Sequence, residues 1–217
     1  MFRALLSYFL FFEFPVIGNI EKGTILLAQA FGRNDVLDEK LGVIASLAKQ
    51  NIEINILAVI AKEVDPGKSN MDLARKIIEI LKSRSDLPAV IQWEIAVAIY
   101  RLNKVWYLEN ACRIAAVFPN GNGRFSTKDV LEKSLTIANS RGWIVDCPIV
   151  VAHEDMYARA WFLARKIFGI SPISLGEKTW THTYDFKSVQ EVTKSHQSFM
   201  LYEWKVRIHH FLLGWVS

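Results

Sequence analysis

The fold of this chain is decided by the stretch Cys147-Pro-Ile-Val-Val-Ala-His153-Glu-Asp-Met-Tyr-Ala-Arg159-Ala-Trp-Phe-Leu-Ala-Arg-Lys-Ile-Phe168. Its first part is a continuous apolar run, which is typical of a strand covered on both faces, and its second part has the spacing of an amphipathic helix. We predict a strand over 149–152 and a helix over 155–168. Because ligands of open α/β sheets bind where a strand ends and its helix begins, the junction at His153, Glu154 and Asp155 is a candidate site.

The rest of the chain repeats this alternation of apolar runs and helical patterns. It predicts one α/β domain, residues 1–217, with a Rossmann-like three-layer sandwich: a mostly parallel sheet with helices on both faces. A capping box at Ser126 and Asp129 starts one helix, which Gly142 closes. The other predicted strands are 24–31, 54–60, 114–118 and 173–175, and the predicted helices are 35–48, 71–82, 89–102, 127–141 and 198–213.

Three polar loops follow predicted strands, at residues 32–35, 120–127 and 153–155. In a doubly wound sheet these loops open on the same edge. Helix N-termini at that edge present free N–H groups and partial positive charge, which favour a phosphate or carboxylate. Taken alone, each loop is explained by helix capping and by solvated charges. Only the convergence of the three loops on one edge favours a binding site. The predicted ligand-binding residues are Gly32, Arg33, Asn34, Asp35, Arg124, Ser126, Thr127 and Arg159.

His153 and Glu154 are the predicted catalytic residues, because an imidazole beside a carboxylate is suited to general acid–base chemistry. The alternative is a hydrogen-bonded structural histidine at a strand end. No metal site is predicted, since the side chains of consecutive residues diverge and no second histidine follows at helical spacing. Glu203 and Arg207 lie four residues apart on the last helix and predict a simple ion pair.

Several classes of function are disfavoured by the sequence. Neither Gly-x-Gly-x-x-Gly nor a P-loop motif is present, and the nucleophile elbow Gly-x-Ser-x-Gly is missing. The net charge is +4, with no run of basic residues, so nucleic acid is not an expected partner. Cys112 and Cys147 are predicted to be buried free thiols at strand starts, with a disulfide left open.

The N-terminal residues 2–17 are strongly apolar, but Arg3, Glu13 and Pro15 interrupt them. The run is shorter than the ~20 residues of a spanning helix, and it shows no clear signal-peptide cleavage site. We predict that residues 1–20 pack on the domain as a helix or arm. The alternative is peripheral contact with a membrane through this segment, so the expected location is cytoplasmic or membrane-associated.

The order of these motifs resembles the SanA/YdcF/ElyC-like domains, a bacterial family of largely unknown function. The likeness spans about residues 24–216 and rests on a strand that ends in Ala30-Phe-Gly-Arg-Asn-Asp35, on Ser126-Thr127-Lys-Asp129, on the strand–helix unit around Arg159-Ala160, and on a final helix from Glu203 to Gly214-Trp215. Met156 stands where the family commonly has a histidine, with His153 three residues earlier, and Val130 stands where it has an asparagine.

The resemblance implies a Rossmann-like sheet with a cleft at the strand ends, and it links some relatives to the cell envelope. For other relatives it points to a nucleotide-like methyl donor, so S-adenosylmethionine or another nucleotide-like ligand is one option for a cofactor that stays open. It implies no established reaction, and many relatives carry an N-terminal membrane anchor. Two functions therefore stand side by side. One is a small-ligand protein, with or without catalysis, whose ligand is anionic or nucleotide-like. The other is a non-catalytic interaction module. A methyltransferase-like domain is a third option, which needs an adenosine-sized pocket near Gly32. The oligomeric state is open.

Overall fold

The computed structural model describes residues 17–32, 53–119 and 125–212, and these form an α/β Rossmann-like fold. Its five strands are all parallel and lie in the order β3-β2-β1-β4-β5. The strands are β1 (Ile25–Ala28), β2 (Ala89–Gln92), β3 (Ile114–Val117), β4 (Pro148–His153) and β5 (Trp180–Thr181). The helices are α1 (Glu53–Glu63), α2 (Lys68–Ser83), α3 (Trp93–Leu102), α4 (Lys104–Glu109), α5 (Thr127–Ser140), α6 (Glu154–Phe168) and α7 (His196–Leu212).

Helices cover both faces of the sheet, as predicted. Leu26 and Ala28 of β1 face a core formed with α1, α2 and α3, whereas Ile25 and Leu27 face a second core formed with α5 and α6. All four residues of β1 are therefore buried, which explains why its sequence is continuously apolar. The chain reverses its direction across the sheet between β3 and β4, so the topological switch point lies beside β1.

The strand predicted over 54–60 is wrong, because this segment belongs to helix α1. A short apolar run does not distinguish a buried strand from a buried helix. The burial pattern shows the helical spacing: Leu57, Ile60 and Ala61 are buried, whereas Val59 is 55% exposed. Val64, just beyond the helix, continues the buried side of this pattern.

The helix predicted over 89–102 is wrong in its first turn. Ala89–Gln92 form β2, which pairs with β1 and β3, and the helix begins only at Trp93. The boundary matters, since it places Gln92 and Glu94 at the carboxyl end of a strand. Pro88 also fits a strand start, because its carbonyl accepts a hydrogen bond from the Leu26 amide.

Most other predicted elements are confirmed within a few residues, including β3, β4, α2, α6 and the capping box that starts α5. The strand predicted over 173–175 is reduced to isolated bridges, of Ile173 to Ile149 and of Ser174 to Ile17, and the edge strand is β5 instead. The two cysteines are free, as predicted, but neither is fully buried: Cys112 is exposed and Cys147 is half-buried. The predicted helix 35–48 and the apolar segment 2–16 lie outside the described residues. Within the described ranges, no helix has both the length and the apolar character needed to cross a bilayer.

Candidate functional site

A cleft of about 530 Å³ opens at the carboxyl ends of β1 and β2. Its described walls come from the segment after β1, from the starts of α3 and α5, from one side of α6, from residues 190–193 and from α7. Four of the predicted binding residues line it: Gly32, Ser126, Thr127 and Arg159. This is the position at which open α/β sheets bind their ligands, next to the switch point.

The segment after β1 is held in place by two buried amides. The Asn70 side chain accepts a hydrogen bond from the Phe31 amide at 2.9 Å and donates to the Gly32 carbonyl at 2.6 Å. The Gln92 Oε1 atom accepts from the Ala30 amide at 3.0 Å. These contacts fix the backbone that forms one wall of the cleft, because buried main-chain groups need such partners.

Gly32 lies at a close approach between this wall and the segment 188–193. Its φ of +71° is left-handed, and a Cβ atom there would lie 2.5 Å from the Thr193 Oγ1 atom and 2.8 Å from the Ser188 Oγ atom. Those two hydroxyls are hydrogen-bonded to each other at 2.7 Å. A side chain at position 32 would therefore push apart two walls of the cleft.

Two buried donor atoms on residues that line the cleft lack a hydrogen-bond partner among the described residues. They are the Nε2 atom of Gln29, the residue that follows β1, and the Nε atom of Arg159 on α6. Gln29 is 1% exposed and Arg159 is 7% exposed. A buried donor without an acceptor costs about 1–3 kcal/mol, so this pair favours a ligand that brings acceptor oxygens.

Arg159 is joined to α7 by a buried ion pair. Its Nη1 atom lies 2.6 Å from the Oε2 atom of Glu203, which is 1% exposed, and its guanidinium lies near the rings of Phe199 and Tyr202. Arg159 is thus one partner of Glu203, and the ion pair predicted between Glu203 and Arg207 stays a prediction, because the Arg207 side chain lies outside the described residues. The ion pair uses the Nη1 atom of Arg159 and leaves its Nε–H group without a described acceptor.

The N-terminus of α5 keeps part of its predicted capacity for an anion. Ser126 is occupied by the capping box, in which its Oγ atom accepts from the Asp129 amide and the Asp129 carboxylate accepts from the Ser126 amide. Thr127 and Lys128 both line the cleft, and the Thr127 hydroxyl lies 3.9 Å from the Met156 sulfur. Thr127 and Lys128 are therefore the groups at this helix start that face a ligand.

His153 lies outside the cleft lining and is almost fully buried. Its ring stacks on Phe31 at 3.7 Å, and its Nδ1 atom accepts a hydrogen bond from the Asp155 amide at 3.3 Å, which caps α6. Burial lowers the pKa of His153 to about 3, and the nearby charges of His182 and His196 act in the same direction. His153 is therefore neutral at pH 7, and its ring packs against Phe31, which lines the cleft.

Glu154 and Asp155 each pair with a histidine on the far side of Phe31. The Glu154 carboxylate is hydrogen-bonded to the Nδ1 atom of His182, and the Asp155 carboxylate lies 2.9 Å from the Nδ1 atom of His196 at the start of α7. Burial raises the pKa of the Asp155 carboxyl group, and the hydrogen bond from His196 opposes that shift. Neither acidic residue lines the cleft, so the predicted catalytic pair lies apart from the four predicted binding residues that do line it.

The sequence missed Gln29, Gln92 and Glu94. Gln29 was missed because it lies inside the apolar run 24–31, and the other two were missed because the helix was predicted to begin at residue 89. Arg33, Asn34, Asp35 and Arg124 lie outside the described residues, so their predicted binding roles stay predictions. In the parts of the chain that the structure describes, no group of three or more His, Cys, Asp or Glu side chains could hold a metal ion.

Comparisons with protein-family models, with curated proteins and with solved structures found no match to this chain.

Proposed function

We propose that the protein binds a small nucleotide-like ligand, with at least one oxyanion, in the cleft at the carboxyl ends of β1 and β2. The observation that carries the proposal is a pair of residues that line this cleft, Gln29 and Arg159, whose buried Nε2 and Nε donors have no described acceptor. They suit the oxygens of a phosphate or a carboxylate, and Thr127 and Lys128 supply further donors.

A simple inorganic anion fits the cleft less well than a nucleotide. The volume of about 530 Å³ lies within the range for organic ligands and is far larger than a phosphate ion requires. The walls are partly aromatic, with Phe31, Phe125, Phe199 and Tyr202, which suits a planar ring. The buried carboxyl group of Glu94 also lines the cleft, and it can accept hydrogen bonds from ribose hydroxyls or from an amino group.

S-adenosylmethionine belongs to this class of ligand and remains a proposal for this protein, as does membership of the SanA/YdcF/ElyC-like family. Each rests on the resemblance stated above and on the shape of the cleft. Within the cleft, Glu94 is the carboxyl group that we propose for proton transfer, because carboxylates serve as general acids or bases. The catalytic roles predicted for His153 and Glu154 require a substrate on the other side of Phe31.

The first experiment is a thermal-shift screen with nucleotides, S-adenosylmethionine, sugar phosphates, inorganic phosphate and divalent metal salts. A ligand at about 100 times its dissociation constant stabilises the fold by ~2.7 kcal/mol, which raises the melting temperature of a chain of this size by about 5–10 °C. We expect shifts from nucleotide-like compounds and little shift from inorganic phosphate or metal salts.

Substitutions of Arg159 and Gln29 then test whether the ligand binds in this cleft. Arg159→Lys keeps the charge opposite Glu203 but removes the Nε–H donor, and Gln29→Leu removes the other donor with little change in volume. Each should weaken binding about 10-fold to 100-fold, since a hydrogen bond to a charged group contributes about 1.5–3 kcal/mol. Ser134→Ala, a buried hydroxyl outside the cleft, is the matched control and should not change affinity. Unchanged affinity in both cleft variants would refute this site.

A further inference from the structure

A neighbouring cavity continues the cleft between helices α5 and α6. It has a volume of about 520 Å³, and the side chains of Lys128 and Leu163 line both the cleft and this cavity. We call it the helix groove. Its described walls are Lys128, Glu132 and Leu135 of α5 and Leu163, Lys166 and Ile167 of α6. Because the two cavities share lining residues, a molecule bound in the cleft can extend into the helix groove.

The floor of the helix groove is aliphatic. Leu163 is 3% exposed, whereas Leu135 and Ile167 are only half-buried, although all three belong to the core beneath α5 and α6. Two packed helices ordinarily fill the space between them with their own side chains. Three aliphatic side chains beside a space of this size therefore suit an apolar part of a ligand.

The rim of the helix groove is polar. The Nζ atom of Lys128 lies 3.3 Å from the Oε1 atom of Glu132, and Lys166 is exposed beside Ile167. An ammonium group has three donors and a carboxylate has several lone pairs, so each of these groups can hold more than one partner. The rim therefore suits a chain that carries amide groups along an apolar backbone.

The position of the helix groove indicates which end of the cleft ligand enters it. It meets the cleft at Lys128, in the first turn of α5, beside the groups proposed above to bind an oxyanion. Between Lys128 and Leu135 it follows α5 for about 10 Å. The helix groove therefore accepts a chain at least this long that leaves from the phosphate end of a nucleotide, and not from its base.

We infer that the ligand is a coenzyme A thioester, with its nucleotide in the cleft and its pantetheine arm in the helix groove. The inference rests on the proposed function, since it names the ligand of the same cleft. The arm leaves the diphosphate, its dimethyl group suits the aliphatic floor, and its two amides suit the rim at Glu132 and Lys166. S-adenosylmethionine has no arm of this kind.

Other substituents on a diphosphate fit the helix groove less well. A nucleotide sugar would place hydroxyl groups against Leu135, Leu163 and Ile167, whose side chains offer no hydrogen bonds. A dinucleotide would do the same with its second ribose. A nucleotide-linked lipid would fill the floor but would make no use of the polar rim.

The test is titration calorimetry of the full chain with hexanoyl-coenzyme A and with 3′-phospho-ADP, which is coenzyme A without its arm. We expect the thioester to bind about tenfold or more tightly, because its arm buries apolar surface. Leu135→Glu and Ile167→Glu should reduce this preference to about twofold or less and leave the affinity for 3′-phospho-ADP unchanged. Ile144→Glu, at an exposed isoleucine outside both cavities, is the matched control and should keep the full preference.

Photolabelling of the wild type gives a second measurement that does not depend on how the variants fold. Hexanoyl-coenzyme A with a diazirine on its acyl chain should label residues 132–140 of α5 or residues 163–168 of α6, and excess unlabelled coenzyme A should prevent this. Label elsewhere in the chain would overturn the inference, even if the variants fail to fold.

The calorimetry separates failure of this inference from failure of the proposed function. Equal affinities for hexanoyl-coenzyme A and 3′-phospho-ADP, or a preference that both groove variants keep, would overturn the helix groove as the site of the arm. No binding of the thioester, with a shift from another nucleotide in the thermal-shift screen, would overturn the inference alone. No shift from any nucleotide-like compound would overturn the proposed function as well.

Discussion

At the scale of single residues, Gly32 and Gly169 form a natural pair for testing the cleft wall. Both have a φ of +71°, but a Cβ atom at Gly169 would meet nothing within 4 Å, whereas one at Gly32 would collide with Thr193 and Ser188. Gly169→Ala should cost about 1–2 kcal/mol for the left-handed backbone alone. Gly32→Ala should cost about 1–3 kcal/mol more, because the walls of the cleft must separate. Chemical denaturation measures both, and equal losses would contradict the close approach.

His153 is the residue whose protonation should govern acid stability. Its pKa is about 3 in the folded protein and about 6.5 when unfolded, so only the unfolded state takes up the proton as the pH falls below about 6.5. The stability that neutral His153 provides is therefore complete above pH 6.5 and is lost progressively toward pH 3. The free energy of unfolding should fall by about 1.4 kcal/mol per pH unit between about pH 5.5 and pH 4 from this group alone.

His153→Phe isolates that contribution, because it keeps a ring against Phe31 while the other titrating groups remain. The unfolding free energy of the wild type minus that of His153→Phe should therefore fall as the pH falls from 7 to 4. A difference that stays constant with pH would mean that the histidine is not desolvated.

At the residue scale, the sequence identified the cleft residues that local patterns reveal. It missed the contacts between residues that are far apart along the chain. Thr127 and Arg159 follow from local patterns, namely a capping box and a helix after a strand. The Arg159–Glu203 pair joins residues 44 positions apart, and the amides of Gln29 and Gln92 stand in runs that read as apolar. No local periodicity encodes those contacts.

At the scale of elements, the sequence predicted the start of helix α5 well, because a capping box marks it, and it also predicted strand β4. It failed at α1 and at β2, because four to seven apolar residues satisfy both a buried strand and a buried helix. Tertiary packing decides between them. Against α1 the burial repeats every three or four residues, whereas in β2 all four residues are covered from both faces.

The helical assignment of α1 can be tested with one pair of substitutions. Val59 is 55% exposed on the helix, and Leu57 is fully buried. Val59→Glu should change the free energy of unfolding by no more than about 0.5 kcal/mol, whereas Leu57→Glu should cost about 4 kcal/mol or more, since it buries an unpaired charge. In a central strand covered on both faces, both substitutions would be severe, so a large loss for Val59→Glu would contradict the helix.

At the scale of the whole molecule, the doubly wound topology sends the chain out of each strand at the same edge of the sheet, and it reverses beside β1. This explains how the ends of β1 and β2 and the starts of α5 and α6 form one cleft although they are far apart in sequence. The class of fold could therefore be predicted from the alternation of strands and helices alone. The ligand could not, because it depends on which side chains the edge brings together.

The same topology predicts which backbone amides a bound ligand will protect from hydrogen exchange. A nucleotide-like compound from the thermal-shift screen should slow amide hydrogen exchange in residues 29–32, 92–94 and 125–128, which lie at the cleft edge. Residues 84–88 and 141–147 precede β2 and β4 at the opposite edge of the sheet, and their exchange should stay unchanged unless the ligand stabilises the whole fold. Gln29→Leu should abolish the local protection at a ligand concentration that still protects the Ser134→Ala control. Protection centred instead on residues 153–155 and 182–184 would move the ligand to the other side of Phe31, where His153 and Glu154 lie, and would exclude the cleft.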